Sequence, residues 1–318
     1  MHRNVVIGLA FSAPLLAAAA LPQRAYVANE HDGTVSEIDT QQDDVRRLFT
    51  VHGKGGDKLQ AAIADRAGKS LFVVDAQNSN VAVIDLGTGQ VVDHIATGKS
   101  PEGASLSPSG KELCVCGEDD NTINFIDVAA RKATRSIAIQ GKNPEHCEYS
   151  PNGKWLLTSN ENSDDVDIID LEAGKSIARV HTAGHPRGIA ILPDNKTAYV
   201  AQETSGGVDI LDIAAHKVQK SIATGLRPSG AIASSDGKRV YISNGGAGTV
   251  SVIDTAQGKV VGEAPVGKRA WTMALTHDGK KLSVANGRSN SVSVIDTDTL
   301  KPLKEIEVGG LPWGVQIP

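Results

Sequence analysis

VSEID (35–39), VAVID (81–85), INFID (123–127), VDIID (166–170), VDILD (208–212), VSVID (250–254) and VSVID (292–296) are seven apolar strands, each closed by an aspartate. Successive aspartates stand 46, 42 and 43 residues apart, and then 42 apart three times. A period of this length containing several β-runs marks a propeller. Each period repeats four strands: one after Pro-x-Gly, one like Arg239-Val240-Tyr241-Ile242-Ser243-Asn244, the Asp-ended strand, and one like Lys259-Val260-Val261. Turn formers such as Ser107-Pro108-Ser109-Gly110-Lys111 separate them, because Gly permits positive φ and Asp or Asn bonds its own backbone. Such a sheet has two apolar faces and cannot bury both alone, so it packs between two neighbours and the ring must close. The fold expected is all-β, a seven-bladed β-propeller of four-stranded antiparallel blades.

The chain after its first twenty residues begins at a second strand, Arg24-Ala25-Tyr26-Val27-Ala28-Asn29, and ends on a first strand, Pro312-Trp313-Gly314-Val315-Gln316-Ile317. Closure is therefore expected through pairing of the C-terminal strand with the N-terminal strands. Residues 1–20 read differently: Arg3 precedes an apolar stretch from Val5 to Ala20 ending in Ala17-Ala18-Ala19-Ala20. A charged start, a short apolar run and small residues describe a secretory signal peptide. Residues 1–20 are thus assigned to export and 21–318 to the propeller, with no membrane insertion after cleavage.

Formal net charge is -5, from 32 basic and 37 acidic residues without long runs of either sign. This carries no electrostatic footprint for nucleic acid or an anionic membrane. The three cysteines, Cys114, Cys116 and Cys147, are odd in number, so at least one stays unpaired and no disulfide framework stands out; Cys114 and Cys116 share one strand face, where a bridge would be strained, and buried thiols acting as small hydrophobes are expected.

Strands Tyr26-Val27-Ala28-Asn29 and Tyr199-Val200-Ala201-Gln202, with VSVIDT and Ser-Pro-x-Gly-Lys, resemble the bacterial YVTN-type β-propeller repeat across essentially all of the mature chain. Two finer stretches, Glu145 to Ile169 and Ala270 to Pro318 with its LPWGVQIP ending, resemble the PQQ-dependent catabolism-associated β-propeller proteins. That resemblance implies an exported, periplasmic accessory protein acting beside quinoprotein dehydrogenases, and it implies no reaction. The second blade departs from the pattern, with Gly53-Lys54-Gly55-Gly56-Asp57 in place of the Gly-x-x-Pro entry.

A repeat supplies its own control. A residue present in every blade serves the blade, whereas one that breaks its column is free to serve the molecule. The seven aspartates, and Asn29, Asn160, Asn244 and Asn286 at second-strand ends, read as structural. The column beginning each first strand does not: it runs Gln60, Glu102, Glu145, Arg187, Ser229, Trp271 and Trp313 around one channel mouth. His185, Arg227 and Arg269 precede it, His146 stands where Gly is usual, and loops bearing Glu30, His31, Glu118, Glu161 and Glu203 should open onto the same face.

Glu102, Glu145, His146, Arg187, Arg227, Trp271 and Trp313 are therefore the candidate ligand-binding residues, for a small molecule or a periplasmic protein partner. No bound cofactor or metal is expected. The adjacent-Cys disulfide and Trp-rich motifs of quinoproteins are missing, and His31, His146 and His185 with Glu102 or Glu145 lack a prearranged metal spacing. No Gly-x-Ser-x-Gly elbow occurs. The leading expectation is a non-catalytic binding or accessory propeller. The alternative is a metal-independent lactonase or lyase using His146, His185 and Arg187 as acid, base and oxyanion support.

Overall fold

A computed structural model describes residues 23–52 and 58–318. The signal peptide expected at 1–20 and the irregular stretch at 53–57 lie outside the described residues. The rest forms seven four-stranded antiparallel sheets, each a meander in sequence order from the channel outward. Blade I is the composite one, with Pro312–Gln316 innermost, followed by Arg24–Asn29, Thr34–Asp39 and Asp44–Thr50. Blades II to VII begin on Leu59–Ala64, Pro101–Leu106, Pro144–Tyr149, Pro186–Ile191, Pro228–Ala233 and Ala270–Leu275. Val27 pairs with Val315 and Ala28 with Gly314, so the two chain ends close the ring as expected. The described residues hold one short helix, a 3-10 turn at Glu161–Ser163.

Seven apolar clusters fill the seven spaces between neighbouring blades. Tyr26, Phe49 and Val35 of blade I meet Leu59, Leu71 and Val73 of blade II, and Ala25, Val27 and Ile38 on the other face meet Val292 and Val294 of blade VII. Each sheet thus buries both faces, and only the outermost strands stand largely in solvent. The three cysteines are unbonded and buried between blades III and IV with Phe125, Tyr149 and Leu156. Burial pushes the Cys114 and Cys147 thiols above their ordinary value, which suits the packing role read from sequence.

The repeated polar residues hold the blades together. Every column aspartate accepts a backbone N–H from the turn that follows it: Asp39 from Gln41, Asp85 from Thr88, Asp127 from Ala130, Asp170 from Ala173, Asp212 from Ala215, Asp254 from Gln257 and Asp296 from Thr299. The asparagines work across strands. Asn244 donates to Thr249 and Ser251 at 3.1 and 2.9 Å while accepting from the Gly225 N–H at 3.0 Å.

Candidate functional site at the channel mouth

One backbone device builds the mouth in every blade. The residue entering the first strand has a left-handed conformation throughout: Lys58, Ser100, Asn143, His185, Arg227, Arg269 and Leu311, with φ between 50° and 77°. No glycine fills this column, although an L residue there carries a cost of about 1–2 kcal/mol. Its carbonyl accepts the N–H of the first loop residue after the second strand, from Leu311/Glu30 around to Arg269/Gly287, at 2.8–3.2 Å. Two side chains per blade, one from each segment, are thereby placed side by side at the rim.

On blades III to VII these side chains form one ionic network. Arg187 is buried, and its guanidinium meets Glu145 through Nη2 and lies 3.0 and 3.2 Å from Glu161 and Glu203 through Nη1. Glu203 is shared further, with Arg227 at 2.6 Å and Arg269 at 3.0 Å. Three arginines from blades V, VI and VII thus converge on one carboxylate. Burial opposes its charge, but Arg187, Arg227 and Arg269 overcome it and hold Glu203 at about 2. Burial likewise acts against the Arg187 cation, and the carboxylates around it, Glu145 first, outweigh that and hold it above its ordinary value.

The acidic end behaves differently. Glu102 hydrogen-bonds both Glu145 and Glu118, and Ser100 Oγ donates to Glu118 at 3.1 Å. Burial first, and then Glu145 and Glu118, raise Glu102 well above the usual carboxyl range. Burial also raises Glu145 against the pull of Arg187. Like charges this close cannot both ionise freely, and because Arg187 sits on Glu145, Glu102 takes the first proton and donates it.

His146 and Trp313 occupy the axis. Their rings stack with centroids 5.5 Å apart and planes 22° apart, although they belong to blades IV and I, nearly opposite in the ring. Burial and then Arg187 lower His146 to about 3, so its imidazole is neutral. Trp313 itself is buried, at 6% exposure. Both rings border a channel cavity of about 290 Å³ lined further by small residues of the innermost strands and by Glu148. Trp271 lies beneath the Arg269 guanidinium, 5.5 Å from ring centre.

Of the residues expected at the site, Glu102, Glu145, Arg187 and Arg227 join the network, His146 and Trp313 pair on the axis, and Trp271 lies under Arg269. His31, an expected rim residue, is exposed beside Gly310, and no contact brings it to His146 or His185. The cluster whose spacing suits a metal is instead Glu161, His185 and Glu203, with ligand atoms within 4.8 Å of one another. Arg187 Nη1 already lies against both carboxylates, so positive charge is supplied there by the protein. Sequence reasoning placed Glu161 and Glu203 on this face without assigning them a role. Arg269, seen only as a neighbour of the column, is also a full member.

Residues 161–317 match the model of the YNCE-like beta-propeller family. The chain is a β-propeller. Among solved structures, the propeller superposes on Kuenenia stuttgartiensis hydrazine synthase with a TM-score of 0.75 at 23% identity, covering 91% of this chain and 99% of that one. It superposes on a functionally unknown protein from Desulfotomaculum acetoxidans DSM 771 with a TM-score of 0.80 at 18% identity, covering 92% and 98%. At these identities the likeness shows the fold alone. No curated protein sequence matches the propeller.

Proposed function

We propose that this chain is a non-catalytic binding propeller, exported to the periplasm, that acts beside a quinoprotein-type oxidative pathway and holds a small ligand or protein partner at the channel mouth. One observation carries the reading. Three of the seven residues in the column that begins the first strands, Gln60, Arg187 and Trp271, each keep a buried polar atom without a hydrogen-bond partner: Oε1, Nε and Nε1 respectively. Buried polar atoms are almost always bonded, so three orphans in one ring support a polar ligand there. The export and pathway parts rest on the Val5–Ala20 stretch and on the resemblance of the Ala270–Pro318 region.

The lactonase or lyase reading asks Arg187 to stabilise a developing oxyanion. Three carboxylates already crowd that guanidinium, and negative charge growing beside it would be repelled by Glu145, Glu161 and Glu203. The test is a thermal-shift screen of organic acids, alcohols and lactones, followed by turnover assays on the hits. Saturable binding without turnover is expected, with Trp271→Phe and Glu102→Gln each weakening it by about thirtyfold, the loss typical of a buried anchor worth about 2 kcal/mol. Lactone turnover abolished by His146→Gln would overturn the reading.

A further inference from the structure

Blades VI and VII break the pattern of the rim in one consistent way. The first loop position after the second strand, fixed in every blade by its N–H bond to the entry residue, is Glu30, Ala76, Glu118, Glu161, Glu203, Gly245 and Gly287 around the ring. In blades III to V a carboxylate therefore stands beside the entry residue of its own blade, as Glu118 beside Ser100 and Glu203 beside His185. In blades VI and VII the entry residue is an arginine and its partner position is glycine. Arg227 and Arg269 consequently reach back to blade V, and the carboxylate they meet there is Glu203, which Arg187 also holds.

Gly245 opens onto a cleft of about 260 Å³ lined by Arg227, Lys268, Arg269, Arg288 and the turn Gly245–Gly248, whereas the Trp271 ring fills the place a side chain at Gly287 would take. Lys268 and Arg288 are exposed, and neither side chain has an ion-pair partner among the described residues. Four cations therefore face one cleft, and the carboxylate that two of them meet, Glu203, is already divided among three guanidiniums. Leu226, 65% exposed and the most exposed large apolar side chain among the described residues, packs beside Gly246 at the same opening.

We propose that this cleft is an oxyanion subsite of the mouth, taking the carboxylate or phosphate end of a small molecule whose apolar part lies along Leu226. The inference rests on the mouth being a ligand site, and it assigns the charged end of the ligand to blades VI and VII. The bound oxyanion stands where the Glu of blades III to V would stand, accepting from Arg227 and Arg269, with Lys268 and Arg288 closing over it. Arg fork geometry favours planar or tetrahedral oxyanions over halides.

The experiment is calorimetric titration of the full chain with two probes, inorganic phosphate and phthalate, at low ionic strength, repeated with K268Q/R288Q and with G245E. Both altered cations are exposed and lie outside the buried network, so the double variant should fold as wild type, checked by its melting curve. Saturable binding is expected for at least one probe, with affinity falling as salt rises and dropping about tenfold or more in K268Q/R288Q. G245E restores the missing carboxylate and should abolish binding; a Cβ there lies 3.0 Å from the Ala270 carbonyl, so the double variant remains the deciding one. Preference for phthalate identifies an organic acid as the source of the oxyanion, and preference for phosphate identifies a phosphate ester. Neither probe binding, or equal binding by K268Q/R288Q and wild type, would overturn the inference. The mouth reading fails separately, when a screened ligand is indifferent to Glu102→Gln and Trp271→Phe.

Discussion

Removing Arg187 leaves Glu145, Glu161 and Glu203 facing one another with no cation between the first two. Breaking a buried ion pair from one side typically costs about 3–5 kcal/mol, because the charge left behind stays desolvated. Arg187→Ala should therefore lower the unfolding free energy by that order, read as a lower urea midpoint at unchanged slope, before any question of ligand arises; an unchanged midpoint would mean that the network is hydrated and loose. Two titratable groups lining the channel cavity give a second expectation with opposed signs. Burial raises Glu148 to about 7 from 4.5, against a 3.3 Å bond from Ser105, so its contribution is complete below about 4.5 and is lost as pH rises through 7. His146 is lowered from 6.5 to about 3, so its contribution is complete above about 6.5 and is lost as pH falls toward 3. The two slopes oppose each other between about 4.5 and 6.5, each at most about 1.4 kcal/mol per pH unit. Relative to wild type, E148Q should gain a rising slope of stability with pH in that window and H146Q a falling one. Denaturation midpoints at four pH values decide it, and parallel curves for all three proteins would refute both assignments.

At the scale of the element, the geometry that recurs from blade to blade lies in polar corners as much as in apolar strands. Asn244 is fully buried and makes three hydrogen bonds that tie the second strand, the third strand and the incoming turn of one blade. Asn244→Ala should cost about 2–4 kcal/mol, at roughly 1 kcal/mol per bond lost plus the penalty of a buried N–H left unmade at Gly225. Asn244→Asp should not restore it fully, since an ionised carboxylate would be desolvated there and the Thr249 and Ser251 hydroxyls would have to turn round to donate to it. Thermal unfolding of both variants measures this. Such corners were legible because they recur: the Asp column and the Asn column announced themselves by period alone. What the period concealed was the entry residue. Only its φ reveals that His185, Arg227 and Arg269 are held in a left-handed turn that sets their side chains beside the next loop, and a column of seven unlike, non-glycine residues gives no composition signal. The partners of Arg187 were hidden for a related reason. Glu145 and Glu161 come from blade IV and Glu203 from blade V, so their meeting on Arg187 depends on how neighbouring blades pack and on side-chain reach. The axial pair was hidden too, since a column position tells which blade a side chain leaves and not how far it extends across the channel.

For the whole molecule, stability depends on a seam. Pro312–Gln316 contributes Trp313 and Val315 to two different inter-blade clusters and pairs with Arg24–Asn29. A chain ending at Gly309 should lose about 6 kcal/mol or more from those two side chains and the exposed faces of blades II and VII, and should unfold well below the full chain in calorimetry. An unchanged melting temperature would show that the ring holds without its composite blade. The mouth is polarised on this same scale, with the proton-holding carboxyls on blades III and IV and the excess cations on blades VI and VII. A ligand spanning it would be oriented by charge before any contact was made.

The stack of His146 on Trp313 has a consequence for how opening of the ring could be watched. Trp313 belongs to the last strand laid down, and the imidazole it rests on belongs to the far wall, so the pair is a strut across a diameter. Any excursion that unzips the seam must pull a buried indole off its stack into water. The seam therefore carries its own optical gauge: a red shift of indole emission that leads the loss of sheet signal would time the parting of the ring, and replacing Trp155 and Trp271 by Phe would leave that gauge as a single lamp.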